Sequence, residues 1–172
     1  MRIARLAPLV VAALIVAGPA KAVTLQDRPS AEHSLLHRMN SVRAHHGLRP
    51  LKLARSLKKA ATRHTASMAR HGYFAHELLE SGVWTSFGTW IHWYWPGRSY
   101  RTWTAGENLA WAPARLGARR TVRMWLKSPP HRANLLGSSW RRVGISFVHA
   151  RRPVGFGGHA ATIAAADFGG AR

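Results

Sequence analysis

The spacing of hydrophobic positions changes period along the chain, and each change marks an element. From Glu32, the residues Leu35, Met39, Val42 and His46 recur at i, i+4, i+7 and i+11, which predicts one face of a helix. Gly47 and Pro50 end it. Leu53, Leu57, Ala60, His64 and Met68 then form a second, narrower stripe. Lys52, Arg55, Lys58, Lys59, Arg63 and Arg70 lie opposite, and Gly72 closes this amphipathic helix with its basic outer face. His64 sits mid-stripe, which predicts a buried, hydrogen-bonded imidazole, with a cavity ligand as the alternative. A third helix runs from Arg119 to Leu126, points Val122, Trp125 and Leu126 inward, and stops at Ser128-Pro129-Pro130.

Elsewhere the period falls to two. Val143, Ile145 and Phe147 alternate with Gly144, Ser146 and Val148, the pattern of a strand. Ala160 to Phe168 and Ala105 to Trp111 are further strand candidates, and the Gly-rich stretch Arg151 to His159 fits a long hairpin connection. Three helices and about three strands predict an α+β fold in packed layers. Residues 77–104 follow neither period. They hold Trp84, Trp90, Trp93, Trp95 and Trp103, with Tyr94, Tyr100 and a Pro96-Gly97 turn. This tryptophan-rich segment, 84–103, is too long for a tight connection and predicts a partly ordered excursion. Its rings either form an aromatic rim for a sugar or lipid or cap the core as a satellite cluster.

The N-terminus is an exception to this patterning. Arg2 and Arg5, the apolar run Leu6 to Ala17 and Ala20-Lys21-Ala22 together predict a signal peptide over residues 1–22, cleaved before Val23. The run is too short to span a bilayer as a helix; an uncleaved anchor is the competing reading. Residues 23–31, polar with Pro29, read as a leader, and 32–172 as one domain. The expected location is secreted, periplasmic or cell-envelope. With no cysteine, the chain has no disulfide, thiolate metal site or cysteine nucleophile.

Charge widens the list of partners. Lys and Arg number 26 against 6 Asp and Glu, a formal charge of +20. Such a balance favours anionic partners: an acidic envelope polymer, anionic lipid, or nucleic acid held without sequence specificity. The basic residues are spread along the chain, which speaks against a basic tail.

Three strings carry candidate chemistry: Tyr73-Phe74-Ala75-His76, Gly106-Glu107-Asn108-Leu109-Ala110, and Ser128-Pro129-Pro130-His131-Arg132-Ala133-Asn134. Two imidazoles and a carboxylate, His76, Glu107 and His131, form the ligand set of an open zinc site; the alternative is a hydrogen-bond network tying loops to the sheet. There is no H-E-x-x-H, G-x-S-x-G or P-loop. Ala166-Asp167-Phe168-Gly169 matches a kinase motif by letters only.

In this order and spacing the strings resemble the bacterial, cysteine-free branch of the CAP superfamily (SCP-like extracellular domains), from about Leu35 to Gly169. The resemblance implies an α-β-α sandwich, a small antiparallel sheet flanked by helices, and a cleft of two histidines and two acids able in some members to hold a divalent cation. His76 is similar to the first cleft histidine, Glu107 to the first acid and His131 to the bacterial histidine. The second acid and second histidine of animal and plant members fall near Ser128 and Ser139, so the tetrad is incomplete. Asn108, Asn134, Ser128, Ser139 and His64 are supporting candidates.

The expected function is a secreted envelope binding module whose cleft takes an apolar, glycan-like or metal ligand, zinc being the possible cofactor. The alternatives are a metal-assisted hydrolase of peptide, ester or phosphodiester bonds and a nonspecific polyanion or nucleic-acid binder. The scarcity of acids in the cleft weighs against an enzyme.

Overall fold

The computed structural model describes residues 23–95, 101–151, 153 and 155–171. The expected signal peptide, residues 1–22, and the expected turn at Pro96-Gly97 lie outside the described residues. Strand β1 (Thr24–Asp27) is followed by α1 (Pro29–His45), β2 (Lys52–Leu53), α2 (Arg55–His71), the hairpin β3 (Leu78–Glu80) and β4 (Val83–Thr85), and α3 (Phe87–His92). Then come β5 (Trp103–Pro113), α4 (Ala118–Lys127), α5 (Pro129–Leu135), β6 (Arg142–Arg151) and β7 (Ala161–Ala171).

The main sheet is ordered β1-β6-β7-β5, all antiparallel, with β2 added in parallel to the start of β6. β7 lies at its centre. Every residue from Ala161 to Gly170 is buried, because helices cover both faces and the small side chains let them close down on the strand. On one face α1, α4 and α5 pack through Leu35, Met39, Val122, Trp125 and Leu135 against Val143, Ile145, Phe147, Ala164, Ala166 and Phe168. On the other face α2 packs through Ala61 and Met68 against Leu109, Ile163 and Ala165. This is the α-β-α sandwich that the resemblance implied.

One glycine sets how closely α2 approaches. A Cβ on Gly144 of β6 would lie 1.9 Å from the backbone carbon of Leu57. The helix therefore rests on bare strand backbone, and Thr65 Oγ1 meets Ser146 Oγ at 2.8 Å two residues further along β6.

The structure adds to what the sequence predicts in four places. Residues 23–31, expected as a leader, supply β1, which pairs with Val148–Arg151, and the first turn of α1. Four residues are too few to show an alternating pattern. The third helix does stop at Ser128, with α4 ending at Lys127, but Pro129-Pro130 also opens α5, where a missing backbone N–H costs nothing because first-turn N–H groups have no intrahelical partner. The aromatic excursion is ordered over its described part, as the β3–β4 hairpin and α3. Ser81 and Gly82, at φ 47° and 79°, form its two-residue turn. Finally, β5 extends past the sequence estimate at both ends, to Trp103 and Pro113, and pairs along its whole length with β7. Trp90 and Trp95 of the excursion are buried with Leu57, Leu78 and Ile91, while Trp84 and Trp93 are half exposed.

Candidate functional site

Three elements meet on the α2 side of the sheet. The apolar stripe of α2 turns His64 onto β5; the loop after Gly72 carries His76 across it; and β5 presents Glu107 between them. Glu107 Oε1 accepts from His64 Nδ1 at 2.7 Å, and Oε2 accepts from His76 Nδ1 at 2.6 Å. The Glu107 side chain is 1 % exposed and that of His64 0 %, whereas His76 is 50 % exposed. The carboxylate is therefore sealed. The surface of the site is His76, whose Nε2 edge has no hydrogen-bond partner among the described residues.

Each imidazole is fixed by further contacts. His64 Nε2 faces the Glu77 carbonyl at 3.0 Å, so both its nitrogens face acceptors, and a neutral ring with one N–H satisfies only one of them. Trp90 packs 4.8 Å from the His64 ring and donates its indole N–H to the His76 carbonyl at 2.9 Å. The tryptophan-rich segment thus holds the histidine loop in place.

His131 reaches the site differently. Its Nδ1 pairs with Ser128 Oγ at 2.9 Å within the first turn of α5, and its carbonyl accepts from Asn108 Nδ2 at 2.8 Å. Asn134 donates to the Glu107 carbonyl at 3.0 Å, and Trp140 donates to the Asn134 carbonyl at 2.7 Å. The Ser-Pro-Pro-His-Arg-Ala-Asn string is thereby stitched to β5. Of the supporting candidates, Asn108, Asn134, Ser128 and His64 join this network. Ser139 does not: it lines a separate cavity of about 270 Å³ with Trp103, Thr104 and Arg141.

Asp167, which the sequence offers only within a letter match to a kinase motif, belongs to this site. It stands directly opposite Glu107 in the β5–β7 ladder, with Gly144 on its other side in β6. It is fully buried, and neither carboxylate oxygen has a donor partner among the described residues. Two acceptors side by side are compatible only when one carries a proton. Burial first, then the Glu107 charge and carboxyl contact, push Asp167 well above the usual aspartate range, so the proton sits on Asp167. Burial also pushes Glu107 upward, but the hydrogen bonds of His64 and His76 outweigh it and leave that carboxyl below its ordinary value. A signal existed: an ionisable residue inside the otherwise apolar run Ile163–Phe168.

His76 and His131 shift in opposite directions. The hydrogen bond to Glu107, opposed by partial burial, raises His76 above its ordinary value. Burial, and then the charge of His76, lower His131. The site therefore offers one imidazole that leans cationic and another, within reach of its charge, that leans neutral. An open zinc site of two imidazoles and a carboxylate needs a carboxylate oxygen facing the ion. Both Glu107 oxygens are taken by imidazoles, and among the described residues no three His, Asp or Glu side chains form a metal-holding group. The trio as arranged does not fit that site.

Relatives agree with this architecture. The chain is 28 % identical over 123 residues to the uncharacterized protein YkwD of Bacillus subtilis, covering 69 % of this chain and 43 % of that protein, so it spans well under half of that relative. An outer surface protein of Borrelia burgdorferi superposes with a TM-score of 0.66 at 20 % identity, over 87 % of this chain and 98 % of that one. An extracellular SCP-domain protein of Bacillus anthracis gives 0.60 at 21 % identity, over 81 % of this chain and 40 % of that one. The family model for cysteine-rich secretory proteins matches residues 36–156. On that match the chain belongs to the cysteine-rich secretory protein (CAP) family, as a member without a single cysteine.

Proposed function

We propose that this CAP domain is an exported binding module of the cell envelope, and that its cleft takes an acidic, glycan-like ligand through His76 and His131. The observation that carries the reading is the sealed carboxylate. Glu107, 1 % exposed and bonded on both oxygens, is out of reach of a substrate as base or nucleophile. What it does is orient His76 and favour its charged form, which turns Nε2–H outward as a charge-assisted donor for a carboxylate or phosphate oxygen. His131 adds a neutral imidazole beside it. Phe74 and Trp84, 41 % and 54 % exposed, offer ring faces of the kind on which sugar rings stack. Envelope location is supported by the outer-surface and extracellular proteins that share the fold.

Isothermal titration calorimetry tests this with oligogalacturonate as the acidic probe and a chitooligosaccharide of equal length as the neutral one. The acidic sugar should bind more tightly. His76→Ala should weaken it roughly ten- to hundredfold, the equivalent of one charge-assisted hydrogen bond. Chelator should change nothing. Equal binding of both sugars, or indifference to His76→Ala, would overturn the reading; loss of binding on chelation would replace it with a metal-dependent one.

A further inference from the structure

On the face of the sheet opposite His64 and Glu107, α1 and α4 lie side by side with a groove between them. Its floor is Val42, Val122 and Leu126, and its walls are Arg38, Arg119, Arg123 and Lys127. The groove continues past Arg120 at one end and past Arg132 at the other. All six basic residues are exposed, and none has a side-chain hydrogen bond or ion pair among the described residues.

The acids that could neutralise them are elsewhere. Glu32 is bound to Lys58 and the Phe147 amide, Glu80 to Arg63, and Glu107 and Asp167 are buried under α2. Glu77 lies beside His76, and Asp27 lies in β1. Neither α4 nor α5 contains an acid. Six like charges gathered along one groove oppose one another, so folding alone gives no reason for them. On α4, Arg119, Arg123 and Lys127 are four residues apart, which sets them in a row with a step of about 6 Å. A row of fixed cations, mostly guanidinium forks that match phosphate oxygens, is suited to a chain of repeated anions.

We propose that the α1–α4 groove is a binding site for a linear phosphate polymer, lying along α4 with its phosphates on Arg119, Arg123 and Lys127 and Arg38 closing the opposite wall. An anionic bilayer fits less well. Insertion needs protruding apolar side chains, and the exposed large ones, Leu53, Phe74, Val83, Trp84 and Trp93, all belong to other elements. The apolar residues of the groove are recessed, Val122 being only 6 % exposed. The site is independent of the His76 cleft.

The test uses the mature chain and inorganic polyphosphate, with affinity followed by calorimetry from low to physiological salt. Arg119→Glu/Arg123→Glu/Lys127→Glu is compared with Lys52→Glu/Lys59→Glu/Arg70→Glu, three exposed cations outside the groove whose reversal changes net charge equally. The groove triple should lose at least tenfold in affinity, and its salt slope should fall by about three, roughly one per phosphate contact. The control triple should lose far less. Equal losses from both triples would show diffuse charge and overturn the site. So would loss of binding to phosphatidylglycerol vesicles or duplex DNA with polyphosphate binding intact. Should charge reversal impair folding, the three-Gln variant, checked by circular dichroism, is read the same way. The groove triple should lose the same factor in polyphosphate affinity in the wild-type and the His76→Ala background, which separates failure of this site from failure of the cleft.

Discussion

Replacing Glu107 by Gln tests the centre of the site at constant shape. The wild-type carboxylate accepts two imidazole N–H bonds, at 2.7 and 2.6 Å, from a position 1 % exposed. A glutamine keeps one accepting oxygen, and its NH₂ then confronts the other imidazole N–H. One hydrogen bond to a charged acceptor is lost, about 1.5–3 kcal/mol, and a buried donor is left unpaired, about 1–3 kcal/mol. Removing the charge that helps raise Asp167 lowers the cost of holding that carboxyl protonated and offsets part of this, so the expected net loss is about 2–4 kcal/mol. For a domain of this size that lowers Tm by roughly 5–15 °C. The pH dependence gives a second signature. Glu107 is depressed when folded, so its contribution is present above the ordinary carboxyl range and lost as pH falls through the folded value. His76 is raised when folded, so its contribution is present below the ordinary imidazole range and lost as pH rises through the folded value. Urea denaturation should therefore show the largest difference between wild type and variant at about pH 5–6, between the two unperturbed ranges. In the variant, the NMR titration of His76 should move to lower pH. A difference under about 0.5 kcal/mol that is flat in pH, with His76 unmoved, would refute this account.

Two further outcomes follow from the same face of the sheet. Asp167→Asn should stabilise the protein at neutral pH by about 1 kcal/mol in urea denaturation, since the amide donates to Glu107 without first taking up a proton. Asp167 is raised when folded, so its cost grows as pH rises above the ordinary aspartate range, and the gain should vanish at about pH 3, below that range; a destabilised Asn variant at pH 7 would contradict the protonation assignment. Gly144→Ala puts a Cβ 1.9 Å from Leu57 backbone, so α2 must shift by more than 1 Å to reach the 3.0 Å below which Cβ contacts essentially do not occur; a loss of about 1–3 kcal/mol is expected by thermal melt, and an unchanged Tm would mean that the helix is not seated there.

How much of this was legible in the sequence depends on the range of the interaction. The α2 stripe could be read because its period is local, and with it the burial of His64. The β6 alternation was legible for the same reason. β1 was not: its four residues are a strand only because β6 offers an unpaired edge at Val148–Arg151, and nothing within Thr24–Asp27 encodes that edge. The Ser81-Gly82 turn did carry a local signal, two residues suited to positive φ between short apolar-containing runs, but the density of aromatic residues around it obscured the hairpin.

The site shows the same division at higher cost. His76, Glu107 and His131 were picked out by strings of neighbours, yet the contact that organises them is between His64 and Glu107, 43 residues apart, and no spacing rule reaches that far. Asp167 is the sharper case. Its burial follows from the apolar strand that contains it, but its meaning depends on the β5–β7 register, which sets it against Glu107 and not against Asn108 one residue away. A slip of one residue would turn the acid to the α1–α4 face. The same register that buries two carboxyls together under α2 keeps acid off the α1–α4 face, and so leaves its arginines free to meet an anion from outside.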